Sequence, residues 1–152
     1  MGTRPKLTII GGGVGGYPAA IRAARRGAAV TLIERERLGG TCLNWGCIPT
    51  KSLLHAGEVV ETIKESETFG IRCRGYEIDF KAVVGRKDAV VNQLRLGVEG
   101  LLKTKKIRLI QGTAEFVDAA TVRVADTGEK LRSDRIIIAA GSALWRMTSS
   151  MV

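Results

Sequence analysis

The sequence predicts one open α/β domain: a parallel sheet flanked by helices, with a small β-meander inserted late in the chain. Three observations carry that expectation. The apolar run Leu7–Ile10 (LTII) ends in glycines, as a buried parallel strand does before a tight turn. An alanine-rich helical stretch follows, and then a second apolar run, Ala29–Ile33 (AVTLI). Together they make a β-α-β unit of about 30 residues, which requires a right-handed parallel crossover.

The elements can be justified in order. Val14–Arg26 reads as a helix in which Ala19, Ala20, Ala23 and Ala24 offer a small-residue packing face. Pro18 falls in its first turns, where a missing N–H is tolerated, and Gly27 caps its end. Residues 39–49 read as a Gly- and Cys-containing turn, followed by a helix from Pro49 to Glu67. After a break at Phe69–Tyr76, Phe80, Val83, Val84, Val90, Val91, Leu94, Val98, Leu101 and Leu102 recur at helical spacing. Gly85, Gly97 and Gly100 weaken that helix by about 1 kcal/mol each relative to Ala, so packing must hold it. Four strands are expected at Ile107–Gln111, Ala114–Val117, Thr121–Val124 and Arg135–Ala139. Asp118 and Asp126-Thr127-Gly128 supply turn chemistry between them.

Composition narrows the function classes. The 152 residues match one ordinary domain, and 45% hydrophobic with 26% charged residues is a globular balance. The absence of a long apolar run excludes a membrane-spanning helix, and a strand beginning at Lys6-Leu7 leaves no room for a secretory signal. Lys6 also breaks the myristoylation pattern. A cytoplasmic setting is therefore expected. The net charge of +9 favours anionic partners in general. Only Lys103, Lys105, Lys106 and Arg108 cluster, at a helix end where cations offset the dipole. Aromatics are only 5%, so stacking platforms are scarce and nucleic-acid binding is not expected.

The glycines, 19 in all, are the first chemical signal. Gly11, Gly13 and Gly16 satisfy G-x-G-x-x-G between a strand and a helix. Gly11 allows the tight turn, Gly13 lets backbone approach a pyrophosphate, and Gly16 permits close helix–strand packing. The phosphates then meet the positive end of the helix. Glu34 closes the second strand 18 residues past Gly16, placed to accept hydrogen bonds from an adenosine ribose. The fold is thus expected to be Rossmann-like, with a dinucleotide that this fingerprint leaves as NAD or FAD.

Cys42 and Cys47 are the second signal. Positions five apart on a regular helix lie about 8.7 Å apart between Cα atoms, beyond the roughly 7 Å limit for a disulfide. Gly40, Gly46 and Pro49 point instead to a distorted helix start where the sulfurs can meet. Cys47 then lies at a helix N-terminus with Lys51 one turn along, both favouring a thiolate. Three readings stand: a redox dithiol, an inert structural pair, or a zinc site drawing on Cys42, Cys47, Cys73 and His55.

The combination IIGGGVGGYPAAIRAARRG, TLIE and GGTCLNWGCIPTKSLL resembles the pyridine nucleotide-disulfide oxidoreductase family, closest to its dihydrolipoamide dehydrogenase branch. The resemblance covers roughly residues 6–142. Ile136–Ser142 resembles the family's strand ending in Ala-Thr-Gly-Ser, with Ala140 in place of the threonine. It implies a Rossmann-like FAD-binding domain in which Gly11, Gly13, Gly16 and Glu34 hold FAD. Gly40, Thr41 and Cys42 would line the flavin and phosphate region, and Lys51 would reach the ring. Gly112, Thr113 and Ala114 would contact the adenine, and Ala140, Gly141 and Ser142 would complete the site. Cys42 becomes the interchange thiol that attacks the disulfide substrate, and Cys47 the charge-transfer thiol beside the flavin. No metal is implied. The implied partners are a dihydrolipoamide-type dithiol or disulfide, and a second copy of the chain.

Family members are about three times longer, so residues 1–142 are expected to be an incomplete flavin domain. The NAD-binding and dimerisation domains, and with them a His–Glu acid/base pair, are expected to be absent here. His55 is the single histidine and reads as a solvated helix position. Ala143–Val152 departs from the family pattern and is expected to be a divergent tail from truncation or frameshift. Weak FAD binding and negligible complete turnover follow, with a non-catalytic flavin- or nucleotide-binding remnant as the alternative.

Overall fold

The structure is a computed structural model that describes residues 3–142; the expected tail, 143–152, lies outside them. Chain order runs β1 (Lys6–Ile10), α1 (Gly16–Arg25), β2 (Ala29–Glu34), α2 (Gly40–Asn44) and α3 (Cys47–Lys64). A 3₁₀ turn (Ser66–Phe69) leads to α4 (Phe80–Thr104), then β3 (Arg108–Gln111), β4 (Ala114–Asp118), β5 (Thr121–Val124), β6 (Lys130–Arg132) and β7 (Arg135–Ile138). The main sheet has the order β3-β2-β1-β7 and every pairing in it is parallel. The strands β4, β5 and β6 form the expected antiparallel meander.

Strand alternation separates two cores. From β1 and β2, Ile9, Val30 and Leu32 face the helices, where they meet Ala20 of α1 and Val91, Val98 and Leu102 of α4. Ile33 points the other way, against Val122 and Val124 of the meander, with Ile10, Ile110 and Ile136 beside it. Ile9, Leu32, Ile33, Leu102, Val122 and Val124 are almost fully buried. Burial on this scale stabilises by about 1.5–3 kcal/mol per aliphatic side chain. Ala20 is wholly buried, so the small-residue face of α1 does bring that helix close to the sheet.

Several boundaries differ from the sequence reading. Helix α1 begins at Gly16 rather than Val14, because Gly13–Gly15 form the turn and only the Gly13 carbonyl accepts the first helical bonds. A short helix, α2, stands where a turn was expected, and α3 starts at Cys47 rather than Pro49. It stops at Lys64, after which the Ser66 hydroxyl bonds back to the Ile63 carbonyl and the chain tightens to 3₁₀ geometry. The expectation missed β6: three residues with a single apolar side chain, Leu131, give no period, and only its pairing with Val122 makes a strand. Helix α4 fills its predicted span, with the Asp79 carboxylate accepting the Ala82 N–H at 3.0 Å as its cap.

Two predictions follow from these backbones. A Cβ at Gly85 or Gly97 meets nothing within 4 Å, so Gly85→Ala and Gly97→Ala each raise the unfolding free energy by about 1 kcal/mol in urea titrations. Gly16→Ala behaves oppositely, since its Cβ would lie 1.7 Å from the Gly11 carbonyl oxygen. It lowers stability by more than about 3 kcal/mol, whereas Gly27→Ala, in open space with φ of 91°, costs only about 1 kcal/mol.

Candidate functional site

Because β1, β2 and β7 run parallel, their carboxyl ends share one edge, and the chain divides there: β2 and β3 lie on one side of β1 and β7 on the other. Ligand crevices in open α/β sheets form at such a switch point. Here the crevice is a cleft of about 850 Å³, within the usual range for a cofactor site. Its walls are Gly11 and Gly13–Gly15 after β1, Glu34–Arg37 at and after the end of β2, Ala139–Ser142 after β7, and Gly40–Cys42 with Trp45–Cys47.

The first wall is built by crowding. Gly11 has φ of 98°, and a Cβ on it would sit 2.2 Å from the Ala139 carbonyl oxygen. Its N–H donates to the Ile33 carbonyl at 2.8 Å, and the Gly16 N–H donates to the Gly13 carbonyl at 3.0 Å. The Gly12 N–H donates to Glu34 Oε2 at 2.6 Å. Among the described residues, the amides of Gly13, Val14 and Gly15 have no such acceptor, and these three residues line the cleft at the amino end of α1. Three successive open N–H groups at a positive helix end form an anion cradle.

Glu34 is held from both sides. Besides accepting from Gly12, it accepts the Glu36 N–H on Oε1 at 2.7 Å, so the carboxylate is fixed on the cleft wall. Each oxygen keeps a further lone pair for a ligand hydroxyl. The sequence reading gave Gly12 no role. A Cβ there would lie 2.8 Å from the end of the Leu38 side chain, which would have to shift, whereas at Gly11 and Gly16 a Cβ would strike backbone atoms.

The cysteine loop forms the opposite wall. Helix α2 stops at Asn44, and Trp45-Gly46 interrupt the helical path before Cys47 opens α3. This break brings the Cα atoms of Cys42 and Cys47 to 4.7 Å, and the two residues form a disulfide. A continuous helix would have kept them about 8.7 Å apart. Cys47 is exposed to the cleft, whereas Cys42 is half-buried. Asn44, which sequence reasoning did not single out, is buried and donates through Nδ2 to the carbonyls of Leu38 (3.1 Å) and Gly40 (2.9 Å). It thereby ties the loop to its own beginning. A polar residue between Leu43 and Trp45 was the available signal. The Arg37 guanidinium lies over the Trp45 ring at 6.0 Å, closing the rim.

Most expected site residues meet in this cleft: Gly11, Gly13, Glu34, Gly40, Thr41, Cys42, Cys47, Ala140, Gly141 and Ser142. Gly16 is buried behind the turn. Gly112 adjoins the site through its N–H, which donates to the Glu34 carbonyl at 2.9 Å, but neither it nor Ala114 lines the wall. Lys51 stands on the second turn of α3 and lines a separate groove with His55, Arg86, Val90 and Leu94. His55 is exposed, and among the described residues its one hydrogen-bond partner is Glu58, at 3.0 Å on the same helix. Cys73 is a free, exposed thiol, and no three metal-binding side chains cluster among the described residues. Nor is any helix among them long and apolar enough to cross a membrane.

Comparison with known proteins agrees with this geometry. A dihydrolipoyl dehydrogenase of Haloarcula marismortui is 46% identical over 145 residues, covering 92% of this chain and 30% of that protein. The dihydrolipoyl dehydrogenase of Geobacillus stearothermophilus is 48% identical over 136 residues, covering 88% of this chain and 29% of that protein. Among solved structures, the HOCl-induced flavoprotein disulfide reductase RclA from Escherichia coli superposes with a TM-score of 0.75 at 32% identity. That match covers 92% of this chain and 29% of RclA. The chain thus spans about 30% of the length of the relatives it matches. Residues 5–150 match the sequence profile of the pyridine nucleotide-disulphide oxidoreductases, and the chain belongs to that family.

Proposed function

We propose that the chain is the flavin- and disulfide-bearing part of a dihydrolipoamide dehydrogenase-type enzyme, which holds FAD in the cleft beside the Cys42–Cys47 pair. The observation that carries this reading is the shared wall: an unspent amide cradle and a disulfide face the same 850 Å³ space. The fit is specific to an extended dinucleotide. Gly13 has no side chain to obstruct a pyrophosphate, since a Cβ there would meet only Gly40, at 3.7 Å. The amides of Gly13–Gly15 would bind the pyrophosphate, Glu34 would hold the ribose hydroxyls, and Gly40, Thr41 and Ala140–Ser142 would flank the flavin. An acid at Glu34 opposes a 2′-phosphate by like-charge repulsion.

The cysteines supply the exchange chemistry. A thiolate of a dihydrolipoamide-type dithiol attacks Cys42 Sγ, the Cys42–Cys47 bond breaks, and Cys47 leaves as a thiolate. The substrate's second thiolate then attacks its own sulfur in the mixed disulfide and expels Cys42. The substrate loses two electrons to become a disulfide, and the cysteine pair gains them as a dithiol. Cys47, at the first position of an 18-residue helix and four residues before Lys51, is the better placed of the two to carry negative charge. When bound, FAD would supply a two-electron acceptor for the Cys42–Cys47 dithiol, with NAD as the final carrier. The partner in this reading is a second copy of the complete protein.

Two measurements test the reading. Titration with a thiol reagent finds one reactive thiol in the oxidised protein (Cys73) and three after reduction. Cys42→Ser gives two in both states, whereas an unchanged difference on reduction would remove the disulfide from the mechanism. Flavin fluorescence quenching measures FAD affinity directly. Glu34→Gln, which removes the charge and one acceptor, weakens FAD binding about tenfold or more, a loss of at least about 1.4 kcal/mol. Equal affinity in the variant would detach Glu34 from the ribose.

A further inference from the structure

At the opposite edge of the sheet, beneath the amino ends of β1 and β2, lies a second groove of about 590 Å³. Its cations come from distant parts of the chain: Arg4 and Lys6 at the start, Lys105 and Lys106 after α4, and Lys130 and Arg132 on β6. Arg108 also lines it but is neutralised by a bidentate pair with Glu129, at 2.8 Å on each arm. None of the other six lies within ion-pair distance of a carboxylate among the described residues, and no acid lines the groove. Lys105 and Lys106 offset the carboxyl end of α4. Arg132 lies in the field of Asp118, whose carboxyl is held below the usual range by the Ala120 N–H, then by the Thr121 hydroxyl, and more weakly by Arg132. Arg4 and Lys130 have neither role, and the Lys6 side chain is likewise free, although the Lys6 backbone N–H donates to the Asp134 carboxylate at 2.7 Å.

The groove also has a polar floor. Thr8 and Ser133, 1% and 8% exposed, share one hydroxyl–hydroxyl bond at 2.6 Å. Two hydroxyl protons serve that single bond, so one donor remains without an acceptor among the described residues. A buried hydroxyl pair with one proton to spare, in a groove lined by cations outside ion-pair distance of a carboxylate among the described residues, suits an oxyanion with several acceptor oxygens. Among the described residues the lining holds no aromatic side chain to stack on a nucleobase of a strand. Its volume suits a small ligand rather than a polymer.

We propose that this groove is an anion site for a small polyphosphate, held by Lys6, Lys130 and their neighbouring cations over the Thr8–Ser133 hydroxyl pair. The site is independent of the dinucleotide cleft and lies at the other end of the strands. Inorganic triphosphate is the probe, titrated calorimetrically into the purified chain at about 50 mM salt. One ion binds per chain. Lys6→Gln with Lys130→Gln weakens it at least about tenfold, and Lys6→Arg with Lys130→Arg retains it. Arg74→Gln with Lys81→Gln, an equal charge loss at exposed positions outside the groove, changes affinity less than about twofold. Circular dichroism melting of each unliganded variant checks that the fold persists. Absence of saturable binding overturns the proposal. So does unchanged affinity in the Lys6 and Lys130 glutamine variant, which puts the ion elsewhere, or tighter binding of a single-stranded oligonucleotide at the same residues.

Discussion

The site depends on one crowded contact, that between the Gly11 carbonyl and the α-carbon of Gly16. With a Cβ position only 1.7 Å from that oxygen, the chain can turn from β1 into α1 here only if residue 16 has no side chain. The tight turn sets the amino end of α1 at the sheet edge and leaves three amides facing outward. The same turn organises its neighbours. Gly12 donates to Glu34, fixing the end of β2, and its carbonyl accepts the Gly39 N–H at 2.8 Å, drawing in the cysteine segment. The Ala139 N–H bonds to the Ile10 carbonyl at 2.7 Å and adds the third wall. Steric necessity at one turn therefore propagates to every wall of the cleft.

The disulfide is placed by the opposite device, an interruption rather than a close fit. Asn44 ties the loop to Leu38 and Gly40, and the chain then leaves helical geometry for two residues before resuming as α3. The break brings the sulfurs together and also gives Cys47 the amino end of a long helix. One local irregularity thus supplies both the bond and a setting that favours the thiolate. Glycines at 39, 40 and 46 make the irregularity possible: a Cβ on Gly40 would lie 2.8 Å from the Gly13 α-carbon, where the two loops touch.

What was legible in the sequence follows from range. The β-α-β unit, the glycine turn and the cysteine spacing are local patterns, and their geometry is set by residues adjacent in the chain. The strand β6 was not legible because Leu131 alone carries its apolar signal and its pairing with Val122 is supplied by the fold. Lys51 was expected at the flavin on the family pattern, yet it lines a neighbouring groove between α3 and α4. The basic residues show the largest gap. In sequence Lys105 and Lys106 stand together but apart from the others, and only folding gathers Arg4, Lys6, Lys105, Lys106, Lys130 and Arg132 around one groove. Asn44 and Gly12 were likewise visible as letters but not as contacts, since their partners come from β2 and the loop beyond it.

On the proposed function, the open amides of Gly13, Val14 and Gly15 would receive the pyrophosphate of FAD. Amide NMR on isotopically labelled protein observes those groups individually. Their three signals are expected to move on addition of FAD and of ADP, but not of riboflavin, while those of Gly97 and Gly100 on α4 stay in place. Saturation by FAD with the Gly13–Gly15 signals unmoved would contradict it.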